Sequence, residues 1–442
     1  MALDGIPTTT GGWPRRGFLG LGIGAGAAAL LGTAACGAGG GSTGDSGGDK
    51  TLTVACEGGG KIELQPVADK FTKDTGATVN LVELPYEGLF NRLTSELSSG
   101  KPSFDVCAVD AVWIPLFAAK LDKLDDLFTA DVKNDLFPAL VQEAQSDGRF
   151  IGMPVWTNSE ILFYRKDLFE NAQEKAAFQR KYGYPLAPPT TWQQFTDIAT
   201  FFTRPEQKLY GTDVKGAVET EWLAHVLQAG SPGVVLDDSG NVIVDNAQHL
   251  AALTFYADLN NKHKVAPAGA AQTDWNAAQN LFNQGQTAMT RFWAHAYRQI
   301  PADAKVAGKV GAAPMIGGTA GVAGIPGPWY LSIPQGGGKA DLAKQFIKAA
   351  YDNNALSIET SLGLAARKSA YQSFAEKPGF ESFGPLLATL NASATRPRPA
   401  SPHWQRIVDG VLVPTIQKAL TPGADYAALL KAARTQIEGI VK

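Results

Sequence analysis

The sequence has few cysteines and histidines and no excess of positive charge. Its 442 residues include three cysteines and five histidines. The histidines are scattered, without an HExxH motif or another short paired spacing, so nothing in the sequence supports metal catalysis. The formal net charge is −3, and it becomes −4 without residues 1–35, which carry two arginines and one aspartate. This charge balance provides no excess of basic residues that would bind nucleic acid or an anionic membrane. We also expect a monomer without a cofactor or metal.

Long apolar runs are absent after residue 35, so only the N-terminus could enter a membrane. Arg15 and Arg16 precede an uncharged run at residues 18–35, in the RRxFL pattern of a twin-arginine export signal. The run barely reaches the ~20 residues that a membrane span needs, and its many Gly and Ala residues make it weakly hydrophobic. The sequence therefore favours a cleaved signal peptide, residues 1–35, over a single transmembrane anchor.

Cys36 ends a segment that is typical of a lipoprotein processing site, Leu-Gly-Thr-Ala-Ala-Cys, although Thr33 departs from the usual aliphatic residue. A lipidated Cys36 would attach the chain to the outer face of the cytoplasmic membrane, and the Gly/Ser-rich residues 36–49 would form a flexible tether. Export would also permit disulfides. Cys56 and Cys107, in neighbouring predicted strands, fit a disulfide or two buried thiols equally well.

After the tether, short strands alternate with helices. The predicted elements are strand 51–56, helix 62–74, strand 78–84, helix 89–98 and strand 104–109. This alternation predicts a parallel α/β sheet. Because ligands bind beyond the carboxyl ends of such strands, Glu57, Tyr86, Asp110 and Trp113 become candidate ligand-binding residues.

Two segments have the pattern of chain crossings between lobes. Residues 150–170 contain a strand, a polar-aromatic stretch with Trp156 and Asn158, and a second strand that continues instead of turning back. Residues 321–334 repeat this order around Trp329. The chain is also long for a single hydrophobic core. We therefore predict two lobes, with residues 50–157 and 326–375 in lobe I and residues 158–325 and 376–442 in lobe II.

Short motifs follow one another in a characteristic order along residues 50–442. They are FTKDTG at 71–76, FDV at 104–106, PVWTNSEILFYRKDLF at 154–169, PTTW at 189–192, GPW at 327–329 and RKS at 367–369. Together they resemble the extracellular solute-binding proteins of ABC importers, in the sugar-binding group that includes maltose-binding protein. The resemblance implies an α/β fold of the type II periplasmic-binding-protein class, with two lobes, each a mixed, mostly parallel sheet flanked by helices, and hinge strands between them.

The same resemblance implies a function in transport. A ligand held between the lobes closes the hinge, and the closed form docks on permease subunits driven by a separate ATPase. The chain has no Walker A motif, in keeping with a separate ATPase subunit. The turn before Arg367 lacks the proline that relatives often have there.

A sugar site combines flat aromatic rings, which cover the C–H faces of the sugar, with planar polar groups that bind its hydroxyls. The candidates for the faces are Trp113, Trp156, Trp293, Trp329 and Trp404, supported by Tyr86. The candidates for the hydroxyls are Glu57, Asp110, Asn158, Glu221 and Arg367. Trp222 and Trp275 lie within predicted helices and are assigned to the core. Glu221 could instead stabilise the N-terminus of its helix, and Arg367 could pair with a carboxylate.

Three functions fit these residues. The first is capture of a carbohydrate or polyol for import, without catalysis. The second is a lipid-anchored glycoside hydrolase that uses Asp110 and Glu221 as its carboxylate pair, although these residues fall in different predicted lobes. The third is a receptor that passes a ligand signal to a membrane partner, which would have the same fold.

Overall fold

The computed structural model of the protein describes residues 50–237 and 239–442. The predicted signal peptide, the tether and Cys36 lie outside the described residues, so export and lipidation stay predictions. Within the part of the chain that is described, no helix combines the length and the apolar character that crossing a bilayer requires.

The secondary structure of the described residues alternates between strands and helices along most of the chain. The strands are β1 (Thr51–Glu57), β2 (Thr78–Leu84), β3 (Val106–Asp110), β4 (Gln145–Ser146), β5 (Arg149–Phe150), β6 (Met153–Trp156), β7 (Glu160–Arg165), β8 (Met289–Trp293), β9 (Val310–Ala313), β10 (Gly317–Gly318), β11 (Gly321–Val322) and β12 (Trp329–Ser332). The helices are α1 (Gly60–Thr75), α2 (Tyr86–Ser99), α3 (Ile114–Phe117), α4 (Ala130–Asp135), α5 (Pro138–Glu143), α6 (Lys166–Phe169), α7 (Ala172–Tyr182), α8 (Trp192–Phe202), α9 (Thr220–Gln228), α10 (Ala247–Asn261), α11 (Trp275–Asn283), α12 (Ala340–Asp352), α13 (Ala355–Ile358), α14 (Lys368–Gln372), α15 (Phe383–Leu390), α16 (Trp404–Ile407), α17 (Val413–Ala419) and α18 (Tyr426–Val441).

The first sheet has the strand order β2-β1-β3-β12-β6. β1 pairs in parallel with β2 and β3, as the alternation of strands and helices predicted. β12 comes from far along the chain and runs antiparallel between β3 and β6. α1 packs against this sheet with Leu64, Val67, Ala68 and Phe71 buried, the spacing that the sequence predicted. Burial of each of the larger side chains contributes roughly 1.5–3 kcal/mol.

The second sheet differs from the mostly parallel sheet expected for each lobe. Its strand order is β8-β7-β9, and both outer strands pair antiparallel with β7. β8 and β9 return to the two sides of β7 after long connections, and the alternation of element types does not encode the direction in which a strand returns. The first four residues of β7 are buried, as expected for the central strand of a covered sheet.

The segments that cross between the two sheets are hydrogen-bonded to one another. Residues 157–159 join β6 to β7, and residues 323–328 join β11 to β12. The N–H of Gly327 donates to the carbonyl oxygen of Asn158 at 2.9 Å, and the N–H of Thr157 donates to that of Ala365 at 2.8 Å. These bonds align the crossing segments with the turn that precedes α14. The residue numbers at which the lobes divide stay a prediction.

The C-terminal third of the chain covers both sheets. α12 and α13 contact α1, and α12 also contacts β6. α15 contacts β7 and β9, whereas α17 and α18 contact α10. A π-helical turn, Val408–Leu412, joins α16 to α17. Turns of this kind are frequent at functional sites.

Cys56 and Cys107 are free, buried thiols, so the second of the two alternatives for this pair is confirmed. In the parallel pairing of β1 with β3, Cys107 is opposite Ala55, and Cys56, one residue further, points to the other face of the sheet. Burial raises the pKa of Cys56 to about 12, with smaller contributions from nearby carboxylates, and burial also raises the pKa of Cys107. Both thiols therefore stay protonated and unreactive.

Candidate functional site

A cavity of about 680 Å³ lies where strand ends of the two sheets meet. Of the predicted ligand-binding residues, those that line it are Glu57, Tyr86, Asp110, Trp156, Asn158, Trp293, Trp329 and Trp404. Trp113, Glu221 and Arg367 are not among the lining residues. Contact of any of these side chains with a ligand stays a prediction.

Neighbouring strands of the first sheet place Asp110, Trp329 and Trp156 side by side. Trp329, the first residue of β12, is opposite Asp110 at the end of β3 and opposite Trp156 at the end of β6. Glu57 ends β1 at the same edge, because β1 and β3 are parallel. The ring centroids of Trp156 and Trp329 are 6.2 Å apart, and their planes are inclined by 28°. This edge therefore presents an aromatic wall beside two carboxyl groups.

Three donors hold the carboxylate of Asp110. Nη2 of Arg398 donates to Oδ1 at 2.8 Å, the N–H of Val112 donates to the same oxygen at 3.2 Å, and the Tyr86 hydroxyl donates to Oδ2 at 3.0 Å. The side chains of Asp110 and Arg398 are only 7% and 10% exposed. Charge-assisted hydrogen bonds of this kind are short and directional, so the carboxylate has a fixed orientation at the cavity wall.

Asn158 and His295 contribute a polar pair from the other side of the cavity. Nδ2 of Asn158 donates to Nδ1 of His295 at 2.6 Å, while Oδ1 of Asn158 accepts from the N–H of Ser159 at 3.0 Å. Burial lowers the pKa of His295 to about 4, so the ring is neutral at pH 7. Because Nδ1 accepts a hydrogen bond, the ring proton lies on Nε2. His295 therefore keeps one N–H donor.

Trp293 reaches the cavity by packing on a glycine of the crossing segment. A Cβ atom at position 327 would lie 2.9 Å from Cζ3 of the Trp293 ring. This distance is too short for a van der Waals contact, so any side chain larger than glycine would displace the indole. The ring of Trp275 lies 5.6 Å from that of Trp293 and also lines the cavity. Glycine at position 327 thus determines where the indole of Trp293 sits.

The C-terminal segment closes another part of the cavity. Trp404 begins α16 and is 2% exposed. Nε2 of Gln405 donates to both carboxylate oxygens of Asp409, at 3.0 and 2.9 Å, and all three residues line the cavity. Asp409 lies in the π-helical turn.

Two carboxyl groups of the cavity have strongly raised pKa values. Burial, with smaller contributions from the charges of Asp110 and Glu83, raises the pKa of Glu57 to about 8. Burial also raises the pKa of Glu63 to about 8, although the N–H of Leu364 donates to its carboxylate at 3.2 Å. Both groups are therefore mostly protonated near neutral pH and can donate as well as accept hydrogen bonds. Such shifts are typical of functional sites.

Trp113 lies behind the cavity wall. It is 2% exposed, and its ring is nearly perpendicular to that of Trp329, with centroids 5.5 Å apart. Its centroid is also 4.7 Å from that of Tyr86. Trp113 therefore supports two lining rings without facing the cavity.

Glu221 lies in a buried cluster of charges. Its carboxylate is 2.5 Å from Nε of Arg291 and 3.3 Å from Nζ of Lys215, and the Tyr256 hydroxyl donates to it at 2.7 Å. The Glu221 side chain is 0% exposed. The predicted contact with a ligand hydroxyl does not describe this environment, because the carboxylate is already occupied by two cations and a phenol. Glu221 does lie in the first turn of α9, where the alternative prediction, stabilisation of the helix N-terminus, places it.

Arg367 belongs to a separate surface groove. Its Nε donates to Asp135 at 2.7 Å, and Nη1 donates to the carbonyl oxygens of Tyr351 and Asp352 at 3.3 and 3.1 Å. The guanidinium also lies 4.8 Å from the centroid of the Tyr351 ring. Arg367 therefore pairs with a carboxylate, which was the alternative to ligand binding.

Several lining residues were not among the sequence-based candidates. They are Glu63, Glu87, Glu219, Trp275, His295, Arg398, Gln405 and Asp409. His295 follows two residues after Trp293, and Trp275 is the first residue of α11, so position at an element boundary was a usable signal for these two. Arg398 lies in an irregular segment with no preceding strand, and no local pattern marks it.

Residues 58–355 match a family model described as bacterial extracellular solute-binding protein. A probable ABC transporter-binding protein of Deinococcus radiodurans is 30% identical over 300 residues, which cover 64% of this chain and 67% of that protein. The solved structures that share the fold include two at 25% identity. One is the maltose-bound MalE3 protein of T. maritima, with 25% identity, a TM-score of 0.72, and coverage of 88% of this chain and 99% of that one.

The second structure is an ABC transporter solute-binding protein from Agrobacterium radiobacter in complex with ribitol. It has 25% identity and a TM-score of 0.70, and the match covers 88% of this chain and 98% of that one. The predicted two-lobed, type II periplasmic-binding-protein fold is thereby confirmed. With the family model covering more than half of its length, the chain belongs to the family of bacterial extracellular solute-binding proteins.

Proposed function

We propose that this chain captures a carbohydrate or polyol in the cavity between its lobes and delivers it to an ABC permease. The observation that carries the proposal is the lining itself, in which indole rings alternate with carboxyl, amide, guanidinium and imidazole groups. Indoles cover the C–H faces of a sugar, and planar polar groups bind its hydroxyls. The volume of about 680 Å³ falls within the range of roughly 300–1,000 Å³ that is usual for small-molecule sites.

The two solved structures support the class of ligand, since one is bound to maltose and the other to ribitol. In the proposed complex, Trp156, Trp293, Trp329 and Trp404 cover the faces of the ligand. Its hydroxyls are bound by residues from both sides of the cavity, namely Glu57, Asp110, Asn158, His295 and Arg398. Glu221 and Arg367 have no part in the proposed complex because they do not line the cavity.

We further propose that the chain performs no catalysis and acts as a monomer attached to the membrane through a lipidated Cys36. The hydrolase alternative paired Asp110 with Glu221, but the Glu221 side chain is 0% exposed and does not line the cavity that contains Asp110. Two carboxyl groups in separate environments cannot flank one glycosidic bond. Incubation with glycosides tests this point directly, and multiple turnover would overturn the transport proposal.

A thermal-shift screen of mono-, di- and trisaccharides and linear polyols tests ligand capture. A ligand that binds only the folded chain stabilises it by mass action, by about 2.7 kcal/mol at a concentration of 100 times Kd. We expect a clear rise in Tm with at least one compound and none with free amino acids, which serve as the control set. The same compounds should change tryptophan fluorescence, since indoles line the cavity. Absence of a response across the panel would refute sugar and polyol binding.

The membrane attachment has a test of its own. In cells that express the full chain, Cys36→Ser should move the protein from the membrane fraction to the soluble extracytoplasmic fraction. Retention of the variant in the membrane fraction would contradict lipid anchoring without affecting the assignment of the cavity.

A further inference from the structure

Arg298 reaches from the second sheet to elements that cover the first sheet. It lies shortly after β8, and the hydroxyl of the preceding Tyr297 donates to the carbonyl oxygen of Val310 in β9 at 3.4 Å. On the other side of the cavity, Nη1 of Arg298 donates to the carbonyl oxygens of Ile358 and Thr360, both at 2.7 Å. Ile358 ends α13, which contacts α1 on the first sheet. Within the described part of the chain, the guanidinium makes no hydrogen bond on its own side.

The first-sheet side is shaped to receive this guanidinium. A Cβ atom at position 363 would clash with Nη1 of Arg298, and Gly363 also has a φ of 66°, which favours glycine. Carbonyl oxygens at the end of a helix lack partners within that helix and attract a cation. The cation also lies 4.4 Å from the centroid of the Phe380 ring. Glycine at position 363 therefore leaves the space in which the two sides are joined.

Arg398 makes a second bridge in the same direction. The segment before it is fixed by Thr395, whose hydroxyl donates to the carbonyl oxygen of Thr389 in α15 at 2.6 Å and accepts from the N–H of Gly324 at 3.1 Å. α15 packs against β7 and β9 of the second sheet. The guanidinium nevertheless pairs with Asp110 of the first sheet at 2.8 Å. Among the described residues, Asp110 is its one hydrogen-bond partner.

Both bridges favour the arrangement in which the two sides lie together. Burial alone would lower the pKa of Arg398, but the charges of Asp110 and other nearby acidic groups outweigh burial and raise the pKa. Burial lowers the pKa of Arg298, although a guanidinium stays protonated in proteins. If the two sides separated, two hydrogen bonds of Arg298 and one of Arg398 would break together. These bonds join protein groups only, so they act without a ligand.

The two arginines differ in their access to a ligand. Arg398 lines the cavity, whereas Arg298 is not among the lining residues. Replacement of Arg298 therefore weakens the joining of the two sides without removing a group that lines the cavity. This difference makes Arg298 the better position for an experiment.

We propose that Arg298 is a positioning residue for ligand capture, which holds the two sides of the cavity in the closed arrangement before a ligand arrives, and that the pair of Arg398 with Asp110 assists it. The inference rests on the proposed function and adds to it a residue that acts without touching the ligand. The apparent affinity scales with the population of the binding-competent arrangement, so a weaker bridge reduces the affinity for every ligand by the same factor. Most of this change lies in the dissociation rate.

A distance measurement on the ligand-free chain tests the bridge itself. Lys73→Cys and Gln179→Cys place spin labels at exposed positions of α1, on the first sheet, and of α7, on the side of the second sheet. The native thiols Cys56 and Cys107 are buried and stay unlabelled. In the full chain in detergent, pulsed electron paramagnetic resonance should show one main distance population. Arg298→Gln should add a second population.

Further variants separate the bridge from a general effect of losing an arginine. Arg298→Lys keeps the charge but not the planar fork of donors, so its second population should be smaller than that of Arg298→Gln. Adding Arg398→Gln to Arg298→Gln should enlarge the second population. Arg396→Gln is the matched control, because Arg396 is exposed and donates only to the carbonyl oxygens of Ser393 and Thr395 in its own segment. It should keep the distribution of the parent chain.

Calorimetric and stopped-flow titrations test the consequence for capture. The probes are maltose, ribitol and every compound of the thermal-shift panel that raises Tm. Arg298→Gln should weaken each of them about tenfold, by a common factor and mainly through faster dissociation, and Arg298→Lys should recover part of the loss. Saturating ligand should return Arg298→Gln to the distance population of the parent chain, which a misfolded variant would not do.

The possible failures are distinguishable. An unchanged distance distribution in ligand-free Arg298→Gln, an equal change in Arg396→Gln, or a loss of affinity that differs from ligand to ligand would overturn the role of Arg298 and leave ligand capture intact. A parent chain that is mainly in the second population without ligand would overturn it as well. If no compound binds, the proposed function fails and the role in capture fails with it, while the distance measurement still decides whether Arg298 joins the two sides.

Discussion

Replacing Glu221 with glutamine is expected to destabilise the folded chain by about 3–5 kcal/mol and to leave ligand affinity unchanged. The carboxylate is fully buried, 2.5 Å from Nε of Arg291 and 3.3 Å from Nζ of Lys215, and it accepts from the Tyr256 hydroxyl at 2.7 Å. Removal of one member of a buried ion pair leaves the other charge uncompensated in a low-dielectric interior, which is the origin of the cost.

Lys215 and Arg291 lose different amounts of electrostatic stabilisation in this variant. Lys215 keeps a second carboxylate at 2.6 Å and a carbonyl oxygen at 2.7 Å, whereas Arg291 keeps mainly the neutral ring nitrogen of His225 at 2.7 Å. Nearby, burial and the charge of Glu221 raise the pKa of Glu160. Without the charge on Glu221, Glu160 can ionise and offset part of the loss. We therefore expect the lower end of the range, about 3 kcal/mol.

Urea unfolding of four variants checks this reasoning: Glu221→Gln, Glu160→Gln, the double variant and Glu219→Gln. Glu221→Gln should strongly lower the urea concentration at the unfolding midpoint. The double variant with Glu160→Gln should lose more unfolding free energy than the two single variants together, because the compensating carboxyl group is then absent. Glu219→Gln, two residues earlier and at the cavity, should have the opposite profile, with stability retained and ligand binding changed. If Glu221→Gln kept the stability within about 1 kcal/mol and lost ligand affinity, its assignment to the buried cluster would be refuted.

Three further changes test the cavity and its surroundings. Gly327→Ala places a methyl group 2.9 Å from the Trp293 ring and should weaken sugar binding roughly tenfold, in keeping with about 1–3 kcal/mol per stacked ring; unchanged calorimetric affinity would contradict stacking by this indole. Between about pH 5 and 8 the folded chain retains a proton on Glu63 (pKa about 8, against 4.5 when unperturbed) that the unfolded chain has released, so Glu63 alone should lower the unfolding free energy by up to about 1.4 kcal/mol per pH unit. Glu63→Gln should flatten this slope in urea titrations, and an identical slope would oppose the assignment. Arg367→Ala removes a partly exposed ion pair with Asp135 and should cost about 1 kcal/mol in the same assay, with unchanged ligand affinity; a loss of affinity would return Arg367 to the site.

Local sequence patterns determined the three parallel strands of the first sheet and one side of the cavity. The alternation of strands and helices up to residue 110 and the helical spacing of the apolar residues in α1 are short-range properties, so they were readable without a structure. Because parallel strands end at a common edge, Glu57 and Asp110 could be placed at that edge. The polar-aromatic stretch between two strands located Trp156, and the glycine-rich second crossing segment located Trp329.

For the charged groups other than Glu57 and Asp110, the tertiary structure alone decided which of them face the cavity. Glu219 precedes α9 and lines the cavity, whereas every residue of α9, Glu221 included, is buried; no helical pattern in the sequence separates these two glutamates. The partner of Asp110 is Arg398, 288 positions away along the chain, and the antiparallel return of β8 and β9 to β7 likewise joins distant segments. The spacing of apolar residues along one helix or strand indicates which of its faces is buried. The pairing of charged groups depends instead on how segments that are distant in the sequence pack together.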